Sequence, residues 1–224
     1  MPRTFSIIVY GTVHRYEMTY TLPENTETIV ATRTVVRTSR QLAHTVKRQV
    51  VTLASATAAG WGTFGANALQ GGALLEFGIV PRTTDGLLGI FVAPFLHANL
   101  NHLIANTVPF LLFGWLVMLR DRRHFAVVTL LAILGSGLVS WTLGAPNSIH
   151  IGASGVVFGY FGFLLLAGWY ARSAGSIALS LLVGVLWGGT VFGVLPGTPG
   201  VSWQGHLGGF IGGVLAARRY RVSS

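Results

Sequence analysis

The chain has 224 residues, of which 15 are Lys or Arg and 6 are Asp or Glu, a charged share of 9% against about a quarter in a typical soluble domain. With 51% hydrophobic residues, a mean hydropathy of +0.62 and 30 glycines, the chain could face water only by leaving most of its outside apolar, which excludes an ordinary soluble domain. Cysteine is absent, so disulfides, thiolate metal ligands and cysteine nucleophiles are excluded together.

Residues 1–48 differ in composition from the rest. They are Thr-rich and charged, with short strand-like alternations at Phe5–Tyr10 and Thr28–Ala31. No apolar core of about 7–15 residues follows a basic start, so this is not a signal peptide. Three readings stay open for this polar N-terminal segment: a small cytoplasmic appendage, a disordered tail, or an extension from a mis-called start site.

The membrane domain is expected over residues 49–221. Charged residues divide it into apolar stretches that can be measured against the about 20 residues needed to cross a bilayer. Residues 49–75 hold a first crossing, and residues 86–119 hold a loop and a second. Residues 124–171 and 173–217 are each long enough for two, broken at Gly144-Ala145-Pro146-Asn147 and at Pro196-Gly197-Thr198-Pro199-Gly200. Six crossings result. The basic residues fall before the first (Arg33, Arg37, Arg40, Lys47, Arg48), between the second and third (Arg120, Arg122, Arg123), between the fourth and fifth (Arg172) and after the sixth (Arg218, Arg219, Arg221). With six crossings these sites share one face, which the retention of positive residues makes cytoplasmic, together with both termini. Only Arg82, in the first loop, falls outside the pattern. The net charge of +9 is therefore a signature of topology, with attraction to anionic lipid as its consequence. The bilayer is the expected partner and nucleic acid is not.

Polar residues inside apolar runs carry the information, because each costs up to a few kcal/mol at depth unless paired or useful. They cluster at the starts of the second, fourth and sixth crossings. The second opens with His97, His102 and Asn106, the last two four residues apart on one helix face. The fourth opens Gly152-Ala153-Ser154-Gly155 and the sixth Trp203-Gln204-Gly205-His206. All three begin at the outer face, so Ser154, His206, His102 and Asn106 should share one shallow depth.

Glycine spacing predicts which helices touch, since packing in lipid favours small residues at every fourth position. Gly155 and Gly159 on the fourth crossing face Gly205, Gly209 and Gly213 on the sixth, which would bring Ser154 within reach of His206. A hydroxyl beside an imidazole is an activated nucleophile. No Asp or Glu follows Asp121, so such a site would use two residues, with the imidazole oriented by packing against Phe158. His102, Asn106 and the Ser154 backbone N–H are the candidate oxyanion donors. Each feature alone has a structural alternative: interhelical glue for the histidines, small-residue packing for Gly-Ala-Ser-Gly. A zinc site from His97, His102 and His206 would lack any carboxylate or thiolate, and no metal or cofactor is expected. His150, in the loop before Ser154, is read as solvated.

The set His102-x-x-x-Asn106, Gly152-x-Ser154-Gly155 and Gly205-His206-x-x-Gly209, on the second, fourth and sixth of six helices, resembles the rhomboid family of intramembrane serine proteases over roughly residues 50–221. The resemblance implies an all-α, rhomboid-like bundle. It makes Ser154 the nucleophile, His206 the base, His102 and Asn106 the oxyanion hole, and His97 a structural member of the second-helix motif. It also implies transmembrane proteins as substrates, cleaved near the outer face of the cell membrane. The Trp-Arg pair that many bacterial members carry in the first loop is replaced by Gly86–Phe91, which leaves open how that loop is anchored. Two readings from other classes remain, a small transporter or channel and a non-catalytic binder of membrane proteins in the same polar cavity.

Overall fold

A computed structural model describes residues 4–10, 15–21, 26–120, 122–197 and 200–219. Contacts divide the chain into two units, Met1–Val50 and Val51–Ser224. In the first, strands β1 (Thr4–Tyr10) and β2 (Arg15–Thr21) pair antiparallel, from Thr4 opposite Thr21 to Tyr10 opposite Arg15.

Helix α1 (Thr26–Leu69) begins well before the apolar run predicted for the first crossing. From Thr26 to Ala59 there is no Gly or Pro, so nothing in the chain interrupts the helix. It ends where Gly71 and Gly72 take left-handed backbone angles, φ +65° and +94°.

Within the second unit follow α2 (Thr84–Val92), α3 (Leu100–Arg120), α4 (Arg122–Leu143), α5 (Ser154–Ala171), α6 (Ala174–Trp187, continued as a 3-10 segment over Gly188–Val194) and α7 (Trp203–Arg219). Four of these stretches are long and apolar enough to cross a membrane by length and composition: Leu100–Arg120, His124–Leu143, Ser154–Ala171 and Ala174–Val194. With the apolar end of α1 and with α7 they make up the predicted all-α bundle of six. Helix α7 spans only 17 residues and is rich in glycine, exchanging hydropathy for close approach. The short α2 lies in what the sequence reads as loop, and is started by Thr83, whose Oγ1 accepts the Gly86 N–H at 3.1 Å.

Helix α5 is the centre of the bundle and packs against α3, α4, α6 and α7. Apolar all round, it needs no solvent face: Tyr160, Phe161, Phe163 and Leu164 are fully buried. Helix α7 meets it through glycine, as the spacing predicts. A Cβ on Gly209 would fall onto the Gly155 carbonyl, and one on Gly213 onto the Gly159 carbonyl. The parallel track, Gly208 and Gly212, meets the carbonyls of Gly135 and Leu131 on α4. Helix α7 is thus wedged between α4 and α5 at backbone contact.

The first loop is anchored by an arginine and a tryptophan that lie far apart in the chain. Arg82, at φ +59°, donates from Nη1 to the carbonyls of Thr142 (3.0 Å) and Gly144 (2.8 Å), where α4 runs out of intrahelical donors. Trp141 Nε1 returns a bond to the Thr83 carbonyl at 2.8 Å. The charge that stood outside the basic pattern therefore caps a helix C-terminus. Replacing Arg82 by alanine is expected to lower the thermal midpoint of the purified protein by about 2–4 °C, the shift that ~1 kcal/mol produces in a domain of this size, and lysine to recover part of it.

Candidate active site

The loop from α4 to α5 delivers Ser154 through Gly152, whose φ of +106° suits glycine and whose N–H donates to the Ala93 carbonyl at 2.8 Å. Ser154 is the first residue of α5. Its N–H therefore has no intrahelical acceptor, and it stands at the positive end of the helix dipole. His206 lies in the first turn of α7 and is only 9% exposed. The Gly155–Gly209 contact sets the two helix starts side by side, and His206 Nε2 comes to 2.8 Å from Ser154 Oγ.

The far side of the ring fixes where the proton is. Nδ1 lies 2.9 Å from the carbonyl oxygen of Gly193, on the 3-10 segment after α6. A carbonyl only accepts, so Nδ1 carries a hydrogen, and in the neutral ring Nε2 is left with the lone pair that receives the Ser154 hydroxyl. The Phe158 ring stacks on the imidazole at 4.1 Å between centroids and 11° between planes. Packing by Phe158 was legible in the sequence. The Gly193 carbonyl was not, and it occupies the place where a triad would have a carboxylate.

His102 and Asn106, one helical turn apart on α3, both face the same turn. A Cβ on Gly152 would stand 2.5 Å from His102 Nε2 and 3.4 Å from Asn106 Nδ2. Asn106 is 5% exposed, and its Nδ2 has no protein partner, so a buried donor is available beside the serine loop. His97 is 3% exposed and sets its ring edge against His102, at 5.1 Å and 67°. The predicted residues thus converge: Ser154, His206 and Phe158 in one contact set, and His102 and Asn106 on the neighbouring side of the serine loop. His97 lies behind His102, and Gly155 and Gly209 hold the helices together.

A family model described as the Rhomboid domain matches residues 84–222, more than half of the chain. The chain belongs to the rhomboid family. It is accordingly a multi-pass membrane protein, in keeping with the four long apolar helical stretches among the described residues. An uncharacterized protein of Mycobacterium tuberculosis is 43% identical over 157 residues, 66% of this chain and 65% of that protein. The chain therefore spans slightly less than two thirds of this relative's length. A chloroplastic rhomboid-like protein 11 of Arabidopsis thaliana is 40% identical over 76 residues, covering 33% of this chain and 27% of the plant protein. A putative rhomboid protein of Acanthamoeba polyphaga mimivirus is 28% identical over 141 residues, 60% and 75% of the respective chains.

In this rhomboid one loop residue differs from its sequence reading. His150, expected to be solvated, is half-buried and hydrogen-bonded on both ring nitrogens, to Ser202 Oγ at 2.6 Å and Ser148 Oγ at 3.0 Å. Its backbone pairs with Ile79 in both directions at 2.9 Å, which joins the serine loop to the first loop.

Proposed function

We propose that this rhomboid is an intramembrane serine endopeptidase in which Ser154 and His206 form a catalytic dyad. The observation that carries the reading is the pair of bonds on the imidazole: in the neutral ring, Nδ1–H to the Gly193 carbonyl leaves Nε2 open to the Ser154 hydroxyl. Ser154 Oγ attacks the substrate carbonyl carbon while its proton passes to Nε2. The imidazolium so formed keeps its Nδ1–H on the Gly193 carbonyl dipole. Nε2–H then protonates the leaving amine, and water hydrolyses the ester left on Ser154. A cavity of about 20 Å³ lined by Ser136, Ser140, Ser154 and Ser202 has room for about one water beside the nucleophile.

The oxyanion accepts from the Ser154 N–H, from Asn106 Nδ2 and from His102 as its Nε2–H tautomer. Asn106→Ala is therefore expected to lower kcat by about 10²–10³, the usual cost of one oxyanion donor, with KM little changed. Kinetics on a transmembrane reporter substrate check this, and a loss confined to KM would remove Asn106 from that role.

The site lies at the starts of α3, α5 and α7, and Arg120, Arg172, Arg218 and Arg219 lie at their far ends. Positive residues kept inside put the site at the outer face of the cell membrane and the termini in the cytoplasm. Substrates are single transmembrane helices. They must unwind before attack, since a helix in lipid has its backbone bonds internally satisfied. They enter beside α6, the least buried of the four long apolar stretches. The test is cleavage of a transmembrane substrate by the detergent-purified protein: wild type cleaves, Ser154→Ala does not, and a chelator changes nothing. Cleavage persisting in Ser154→Ala would remove Ser154 as the nucleophile, and absence of cleavage by the wild type would favour a different role for this cavity, as in a transporter or a binder.

A further inference from the structure

Ser154 and His206 each sit within the first turn of their helix, where backbone bonding is incomplete. The glycine contacts that join α5 to α7 start beside the site, with Gly155 against the carbonyl of Gly205 and Gly209 against that of Gly155, and continue away from it to Gly213 and Gly159. Glycine packing sets the spacing of the two backbones, and a side-chain link across the same gap, the His150 cluster, ties the serine loop to the start of α7.

Its protons can be assigned. Ser148 Oγ donates to the Ala145 carbonyl at 2.7 Å, which leaves it a lone pair to accept His150 Nε2–H at 3.0 Å. Nδ1 is then an acceptor, and the Ser202 hydroxyl donates to it at 2.6 Å. Ser202 Oγ in turn accepts the Gly205 N–H at 3.3 Å, and the Ser202 carbonyl accepts the His206 N–H at 3.1 Å. Every group is satisfied with a neutral ring, and burial holds His150 below the ordinary histidine range, which favours that form. The chain of bonds runs from the loop carrying Ser154, through a rigid ring, into the first turn of the helix carrying His206. Gln204 adds a longer bond across the same gap, from Nε2 to the Leu143 carbonyl at 3.4 Å.

We propose that His150 is a positioning residue that, together with Ser202, clamps the start of α7 to the serine loop and so keeps Ser154 Oγ and His206 Nε2 in bonding range. This rests on the dyad reading above. Histidine suits the task because one flat ring offers an acceptor to Ser202 and a donor to Ser148 on opposite edges. The clamp makes no bond to the side chain of Ser154 or of His206. Its loss should therefore appear as misalignment, in kcat and not in KM.

The full chain, purified in detergent, is assayed on a transmembrane reporter as wild type, His150→Ala, His150→Asn, Ser202→Ala, the His150→Ala/Ser202→Ala double variant, and Ser154→Ala as the zero. Each alanine variant is expected to lose about 10- to 100-fold in kcat, the scale of a shift of about an ångström between reacting groups, with KM within about twofold. The double variant should be no worse than the poorer single. Asparagine, which keeps an acceptor near the Nδ1 position, should recover several-fold of the loss, and thermal midpoints should stay within a few degrees. Wild-type kcat in Ser202→Ala, losses that multiply in the double variant, or a defect confined to KM would each overturn the clamp. So would asparagine failing to rescue while the midpoint falls steeply, since that marks a structural role only. Activity retained by Ser154→Ala would instead sink the dyad, whereas a dead Ser154→Ala beside fully active clamp variants sinks the clamp alone.

Discussion

Alanine at Ser154 and alanine at His206 are each expected to abolish cleavage, and the double variant is expected to lose no more than either single one. Residues that act as one unit behave this way. When a nucleophile or its base is removed, the remaining partner has nothing to act on, and losses on the order of 10⁴–10⁶ in kcat do not add. The geometry makes the coupling strict here. Without His206 the Ser154 hydroxyl has no acceptor at 2.8 Å, and without Ser154 the lone pair on Nε2 faces no reacting group. Thermal unfolding of the same variants separates this from misfolding, because Ser154 is in a helix-start position and its truncation removes one oxygen. A measurable residual rate in His206→Ala that falls further in the double variant would show that the two act independently.

The second large effect concerns a residue with no functional group. Gly209→Leu is expected to reduce kcat by at least about 10² and to destabilise the protein, and Gly209→Ala to do the same to a lesser degree. A Cβ at this position meets the Gly155 carbonyl directly, so the α5 and α7 backbones must part before any side chain fits. Overpacking typically costs about 1–3 kcal/mol. Parting the helices by about an ångström beside the 2.8 Å bond of the proposed dyad is expected to cost about two orders of magnitude in rate. Gly65 on α1 is the control, because a Cβ there meets nothing within 4 Å. Gly65→Ala should leave activity unchanged and, inside a helix, raise stability by up to about 1 kcal/mol. Kinetics and melting curves of the three variants decide it: equal behaviour of Gly65→Ala and Gly209→Ala would remove the backbone contact from the account.

The parts of this fold that were legible in the sequence share a physical cause. Apolar runs bounded by charge mark the crossings because lipid tolerates few charged side chains. Glycines at every fourth position mark the α5–α7 seam because nothing larger fits there. Ser154, His206, His102 and Asn106 stood out because polar groups are costly at that depth. What the sequence hid was carried by backbone atoms and by pairings across long stretches of chain. The Gly193 carbonyl that orients His206 has no side chain to signal it, and the absence of acidic residues after Asp121 indicated only that a carboxylate does not do the work. Arg82 bonds to carbonyls about 60 residues away at the end of α4, a pairing that a charge pattern along the chain does not contain. His150 read as a loop histidine because its partner, Ser202, lies beyond two further helices. The start of α1 is not given by the apolar run, because apolarity marks where a helix enters lipid, not where the helix begins.

A fluorophosphonate reacts with an activated serine hydroxyl and so reports whether one imidazole activates one hydroxyl in this chain. Ser202 makes the test discriminating, since it too lies beside an imidazole, at 2.6 Å from His150. Its oxygen already accepts the Gly205 N–H, and it is not the residue that starts α5, where the open N–H groups lie. If His206 activates Ser154, mass spectrometry finds the phosphonate on Ser154 alone, and labelling vanishes in His206→Ala while persisting, more slowly, in Ser202→Ala. Modification of Ser202 with Ser154 left free, or labelling of Ser154 at an undiminished rate without His206, would contradict it.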